Sequence, residues 1–251
     1  MEAARAAALR GHKVTLWEQG DALGGNLIPA GTHDFKRELH ELSAWYQRQL
    51  AQLGVAVRLG TAADAPAIRR EKPDAVILAV GATPTVPPAA GMDSPKVVDC
   101  VTALTGADLP GQRILVVGGG LVGCETALGY AQAGKTVTIV EALPDILSAG
   151  IPVPEMNASM LRDLLAEWKV TLRTGCRLAQ VTAEGAVVTG PQGEETLPAD
   201  HVVLAVGFTP RPSLAGELAG TGMEVYQVGD GSKVGSVMTA IASAYTVARA
   251  L

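Results

Sequence analysis

Residues 11–18, GHKVTLWE, are written again at 134–141 as GKTVTIVE, and this duplication constrains the fold more than any single motif. With Glu18 set on Glu141, MEAARAAALRGHKVTLWE (1–18) lies over CETALGYAQAGKTVTIVE (124–141), so that Met1 falls on Cys124 and Glu2 on Glu125. LAQLGVAVRL (50–59) matches LAEWKVTLRT (165–174), and AVILAVGATP (75–84) matches HVVLAVGFTP (201–210). Three matches in the same order, with little drift in spacing, describe two copies of one fold within 251 residues.

Each copy reads as the same series of elements. An Ala/Leu-rich helix ends at Gly11 or Gly134, the residue type that suits a left-handed position after the last turn. A strand of β-branched residues follows and ends in glutamate. Next come an amphipathic helix, a strand, and an apolar strand stopped by Gly81 or Gly207 and then a proline. In the first copy the amphipathic helix spans 34–54, with Leu39, Leu42, Trp45, Tyr46, Gln49 and Leu53 along its expected core side. Strands alternating with helices predict an α/β protein with parallel sheets and crossover helices.

The second copy opens with RILVVGGGLVG (113–123), a buried strand running into Gly118-x-Gly120-x-x-Gly123 and then a helix. In such a loop the first glycine permits the turn, the second lets backbone approach a pyrophosphate, and the third lets helix pack on strand. The phosphates rest on the positive helix end, formed here by Gly120, Leu121 and Val122. Glu141 ends the next strand, where a carboxylate accepts the ribose hydroxyls and repels a 2′-phosphate, so NADH is expected over NADPH. Strand, loop, helix, strand and acid together predict a dinucleotide-binding unit.

The first copy is then the same unit, entered one residue after the point where its glycine loop would end. The counterpart of ILVVGGGLVG (114–123) does not occur ahead of Met1, and Met1 reads as an internal methionine of a longer protein. Strands at 14–17 and 76–80 should each lack a hydrogen-bonding neighbour, while Glu18 remains as the matching ribose acceptor.

Other classes are excluded or disfavoured. Twenty basic against 25 acidic residues, with no basic run, makes nucleic acid and anionic membrane surfaces poor partners. The longest apolar stretch, 114–123, is too short and glycine-rich to span a bilayer. The three cysteines, Cys100, Cys124 and Cys176, are widely spaced; they suit a reducing cytoplasm and provide no C-x-x-C pair for disulfide chemistry. Cys124 reads as a small buried residue at a helix start. The four histidines have no metal-ligand spacing, and Lys13 and Lys135 read as solvated. No side chain stands out as a catalytic acid or base.

Two dinucleotide units followed by VYQVGDGS (225–232) and an alanine-rich helix resemble the two-dinucleotide-binding flavoproteins. MEAARAAALRGHKVTLWE, DALGGNL (21–27), VILAVGATP and ILVVGGGLVGCETA make the resemblance closest to the carboxyl-terminal module of the 2,4-dienoyl-CoA reductase/trimethylamine dehydrogenase family, which are old-yellow-enzyme-like NADH:flavin oxidoreductases. The resemblance implies two Rossmann-like domains, with an NAD(H)-binding domain (106–210) inserted into an FAD-binding domain (1–105 plus 211–251). It implies that Glu18 holds the FAD ribose and that Gly24 and Gly25 line the nucleotide path. Gly81, Ala82 and Gly207 would mark the crossings, and Gly229 and Asp230 would meet the pyrophosphate and ribityl chain. FAD, or ADP in its place, and NAD(H) are the implied cofactors. FMN, an iron–sulfur cluster and the barrel that carries them are implied only as an amino-terminal partner outside this chain. The implied activity is hydride transfer from NADH to flavin as the electron entry of a larger flavoenzyme; the alternative is a non-catalytic ADP-binding scaffold. Without its glycine loop the first unit is expected to hold FAD weakly or not at all.

Overall fold

The computed structural model describes residues 1–106 and 109–251. They gather into two compact units, Met1–Thr83 with Thr209–Leu251, and Pro84–Phe208. In chain order the first unit begins with α1 (Glu2–Leu9), β1 (Thr15–Trp17), α2 (Leu27–Ala30), α3 (Glu38–Gln52), β2 (Ala56–Arg58), α4 (Ala65–Glu71) and β3 (Ala75–Leu78). The chain leaves it along β4 (Ala82–Pro84).

The second unit holds β5 (Val97–Asp99), α5 (Cys100–Leu104), β6 (Arg113–Val117), α6 (Leu121–Gln132), β7 (Thr136–Glu141), α7 (Glu155–Glu167) and β8 (Thr171–Thr174). Then come β9 (Arg177–Val181), β10 (Gly185–Gly190), β11 (Gly193–Pro198) and β12 (His201–Leu204). The chain returns along β13 (Phe208–Pro210) to α8 (Ala215–Leu218), β14 (Glu224–Gln227) and α9 (Val237–Ala250) of the first unit.

The second unit is built on a five-stranded parallel sheet ordered β5-β12-β6-β7-β8. β6 is central, and its residues from Ile114 to Val117 are all buried because both faces are covered. On one face Ile114, Val116, Ile139 and Val203 pack with Cys124, Ala127 and Leu128 of α6 and with Leu161 and Leu165 of α7. On the other, Leu115, Val117, Val140 and Val202 meet Val181, Ala186 and Val188 of an antiparallel sheet ordered β11-β10-β9. That three-stranded layer is not among the elements expected from the repeat. Its hairpin turns through Pro191 and Gln192, between the paired residues Gly190 and Gly193.

The first unit has the same plan with its centre open. Its strands form two parallel pairs, β1 with β2 and β14 with β3, and among the described residues β1 and β3 do not pair with each other. Helices nevertheless cover both pairs. Val14 and Ile77 pack on Ala3, Ala6 and Ala7 of α1 and on Ala244 and Ala248 of α9. Trp17, Val76 and Leu78 pack with Ala65 and Ile68 of α4 and Leu218 of α8.

Three expectations change. The first boundary falls at Thr83 rather than near residue 105, because β5 pairs in parallel with β12, Val97 opposite Val202, and so belongs to the second unit's sheet. The buried face of α3 carries Ser43, Tyr46 and Leu50, while Trp45 is exposed. The Ser43 hydroxyl donates to the Leu23 carbonyl, Leu42 is half-buried, and the Arg5 guanidinium lies over the Trp45 ring. Lys135 is not simply solvated, since its ammonium donates to the carbonyls of Leu109 and Gly111. The helix endings agree with expectation. Gly11 and Gly134 have φ of +91° and +83°, and the next N–H in each copy, of His12 and Lys135, reaches back to Ala7 and Tyr130.

Candidate functional site

In the second unit the glycine loop joins the carboxyl end of β6 to the amino end of α6, and each glycine has its own reason. A side chain on Gly118 (φ +109°) would lie 2.3 Å from the Ala205 carbonyl oxygen. One on Gly123 would lie 1.9 Å from the Gly118 carbonyl oxygen, so helix and loop touch backbone to backbone there. Gly120 differs. It caps α6 with ordinary extended backbone (φ −71°, ψ −178°), and a side chain there would meet nothing within 4 Å. The open space lies at a helix end where Leu121 and Val122 bring N–H groups that the helix itself does not use, and the positive end of the dipole.

Glu141 closes the far side. It is the last residue of β7 and only 7% exposed. One carboxylate oxygen accepts from the Gly119 N–H at 2.5 Å and the other from the Leu143 N–H at 2.7 Å. An ionised carboxylate offers about four acceptor positions, so these two bonds do not exhaust it. The loop after β7 is tied to the same place: the Leu147 N–H donates to the Gly119 carbonyl at 2.7 Å. Arg162 of α7 holds that loop through both carboxylate oxygens of Asp145 and the Ile146 carbonyl, and this pairing keeps the Asp145 carboxyl below its usual range. Neither feature was anticipated from sequence, because the contact pairs residues from separate elements.

Cys124 is fully buried in α6, and its thiol donates to the Gly119 carbonyl at 3.3 Å. Burial pushes the thiol up to about 12, so at neutral pH it is a packing residue and no nucleophile. Cys100 is likewise buried and pushed up to about 11.

In the first unit the expected residues are scattered around the open sheet. Glu18 follows β1, and one of its oxygens accepts from the Gly20 N–H at 2.8 Å, as Glu141 accepts from Leu143. Gly24 and Gly25, with φ of +138° and +51°, make the turn into α2. Gly229 and Asp230 form a single turn of 3-10 helix before α9, and Asp230 accepts from the Gly235 N–H at 2.9 Å. Gly81 (φ +72°) precedes Ala82 on the outgoing strand, and Gly207 (φ +103°) precedes the incoming one.

The family model for pyridine nucleotide-disulphide oxidoreductases matches residues 1–234. The chain belongs to that family. It is thus an oxidoreductase domain of the FAD- and NAD(P)-binding type, with parallel sheets of Rossmann-like character. It is similar to the cinnamate reductase of Clostridium sporogenes, 41% identical over 99% of this chain and 37% of that protein. The NADH oxidase of Thermoanaerobacter brockii is 34% identical over 99% of this chain and 39% of that protein. Among solved structures, a 2-naphthoyl-CoA reductase complex superposes with a TM-score of 0.91 at 30% identity, covering 98% of this chain and 37% of that one. A histamine dehydrogenase from Rhizobium shares the fold at a TM-score of 0.84 and 19% identity. The chain therefore spans less than half the length of these relatives.

Proposed function

We propose that this chain is the electron-entry module of a larger cytoplasmic flavoenzyme of the 2,4-dienoyl-CoA reductase/trimethylamine dehydrogenase kind. The second unit takes NADH, and the first unit takes FAD or ADP. A flavin supplied to the module would accept the nicotinamide hydride. FMN, an iron–sulfur cluster and the substrate site belong to a partner barrel outside these residues. Similarity to a cinnamate reductase, an NADH oxidase and a 2-naphthoyl-CoA reductase, each more than twice as long as this chain, supports the reading.

The observation that carries it is the open space at Gly120 next to the Glu141 carboxylate, which accepts from the Gly119 N–H. Room at the amino end of α6 fits a pyrophosphate, and the acceptor capacity that Glu141 retains fits adenosine ribose hydroxyls. The chain's own contribution is binding and orientation. Gly118 and Gly123 let the loop close onto the helix, and Glu141 sets the preference for a ribose without a 2′-phosphate.

The alternative is an ADP-binding scaffold, in which the first unit takes an adenine nucleotide in place of FAD. Titration with NADH, followed by nucleotide fluorescence, tests the main reading. Gly120→Val should weaken binding on the order of 100-fold with the melting temperature unchanged, because the new side chain occupies ligand space rather than protein space. Unchanged affinity in Gly120→Val would remove the assignment. Flavin absorbance of the purified full-length enzyme, with and without denaturation, separates FAD from ADP in the first unit.

A further inference from the structure

Between Gly118 and Gly120, Gly119 is fixed by what surrounds it rather than by a left-handed backbone of its own. A side chain there would lie 2.8 Å from Ile146 Cγ2 and 3.0 Å from Glu141 Cβ, so both residues close on its Cα. Its N–H donates to the Glu141 carboxylate, and its carbonyl accepts the Leu147 N–H at 2.7 Å. The position of the buried carboxylate against the glycine loop is therefore set through one residue. That residue is held by the segment after β7.

Leu147 keeps its end of that contact at a cost. Its φ is +59°, in the left-handed region where the Cβ of an L-residue crowds the carbonyl oxygen that follows. The other non-glycine residues described with positive φ, Lys72 and Lys169, each end or follow the last turn of a helix, where that conformation is ordinary. Leu147 ends no helix; it lies in the loop between β7 and α7. What restrains it stands just ahead of it in the chain. The Arg162 guanidinium donates to both Asp145 carboxylate oxygens and to the Ile146 carbonyl, each at 2.8 Å, while the Ile146 side chain is fully buried in the core. The Arg162 and Asp145 side chains are 39% and 58% exposed, so as an ion pair they contribute little to stability. A planar fork bonded at three points to two consecutive residues fixes geometry instead.

We infer that Arg162 is a positioning residue for the dinucleotide. By holding Asp145 and Ile146 it keeps Leu147 in the left-handed conformation, and the Leu147 N–H in turn fixes Gly119 against Glu141, beside the open space at Gly120. The inference rests on the reading that the second unit takes NADH. Arg162 acts through the loop and not as a charge on the ligand. Released from the guanidinium, Leu147 returns to a negative φ and its N–H leaves the Gly119 carbonyl. The ribose acceptor then loses its register with the helix end that receives the phosphates.

The test combines NADH titration with hydrogen exchange of the ligand-free chain. Arg162→Gln should weaken NADH binding about tenfold and speed exchange of the Leu147 and Gly119 amides, with little change in the second unit's melting temperature. Arg162→Lys keeps the charge but not the fork and should behave like Arg162→Gln. Asp145→Ala breaks the same clamp from the exposed loop side, and it decides the matter if Arg162→Gln does not fold. Leu147→Gly removes the cost of the left-handed turn, so in that background Arg162→Gln should cost less than about twofold. An equal loss in both backgrounds would mean that Arg162 does not act through Leu147. Native affinity in Arg162→Lys would make it a charge for the ligand. Either result overturns the inference, as does unchanged affinity in Arg162→Gln when the native chain binds NADH. A native chain that binds no NADH defeats the reading of the second unit, and the inference falls with it.

Discussion

The two units follow the same plan, but among the described residues only the second has a strand between its two halves, and the difference isolates what that strand contributes. In the second unit β6 sits between β12 and β7, with Val116 fully buried. In the first, β1 and β3 are both sheet edges, and Leu16, Trp17, Val76 and Ile77 remain only half-buried. The matched residues Ile139, Val140, Val202 and Val203 of the second unit are almost wholly buried. Glu141 and Asp200 each tie β6 or its loop to a neighbouring strand, whereas Glu18 folds back on its own turn and the Asp74 side chain makes no hydrogen bond among the described residues. A central strand thus does more than add ladder hydrogen bonds. It satisfies two edges, packs on both faces of the sheet and gives two carboxylates their partners.

The most demanding way to break this comparison is hydrogen exchange in this chain. Thr138 and Val140, flanked by β6, should exchange only through global opening of the unit, and their counterparts Thr15 and Trp17 through local fluctuation. A ratio on the order of 1000 is expected. Equal protection of the two sets would mean that the opening is already closed in solution.

Packing of the glycine loop gives the next largest effect. Gly123→Ala places a methyl 1.9 Å from the Gly118 carbonyl oxygen, inside backbone that cannot yield cheaply. Destabilisation of about 3 kcal/mol is expected, confined to the second unit's thermal transition, and NADH affinity should fall with it. Gly120→Val must then separate from Gly123→Ala by leaving stability intact.

Replacing Glu141 with Ala sharpens the comparison from the ligand side. The substitution removes an acceptor from the ribose and a negative charge from the position a 2′-phosphate would take. The preference for NADH over NADPH, measured as a ratio of dissociation constants, should shrink roughly tenfold. Tighter NADPH than NADH in the unsubstituted chain would show that the carboxylate does not set the choice.

The smallest effect lies in acid. The Arg113 guanidinium and the N–H groups of Arg113 and Gln112 hold the Asp200 carboxyl far below its usual range. A carboxyl whose folded value is depressed binds fewer protons than in the unfolded chain. Its stabilisation is therefore complete above the unfolded value of about 3.9 and is lost as pH falls below it. Asp200→Asn should lower the second unit's melting temperature by a constant amount above pH 5, with the difference from wild type narrowing below pH 4. The same change at Asp74 should be silent across the range.

The sequence by itself determined the repeated α/β plan, the glycine loop, the helix-ending Gly11 and Gly134, and the acidic residues closing β1 and β7. These are readable because each depends on neighbours within a turn or two: side-chain periodicity, a positive φ, a loop leading into a helix. That β1 and β3 do not pair with each other was also legible, since the second copy places a strand between their counterparts.

Tertiary structure alone decided the rest. It recruited β5 to the edge of the second unit's sheet and laid an antiparallel layer over Leu115 and Val202. It turned Ser43 inward in place of Trp45 and gave Lys135 two carbonyls to hold. It joined Glu141 to Gly119 across 22 residues and Asp200 to Arg113 across 87. Such choices rest on which surfaces meet after the chain has closed long loops, and a strand's own residues record the need for a neighbour without specifying which segment supplies it.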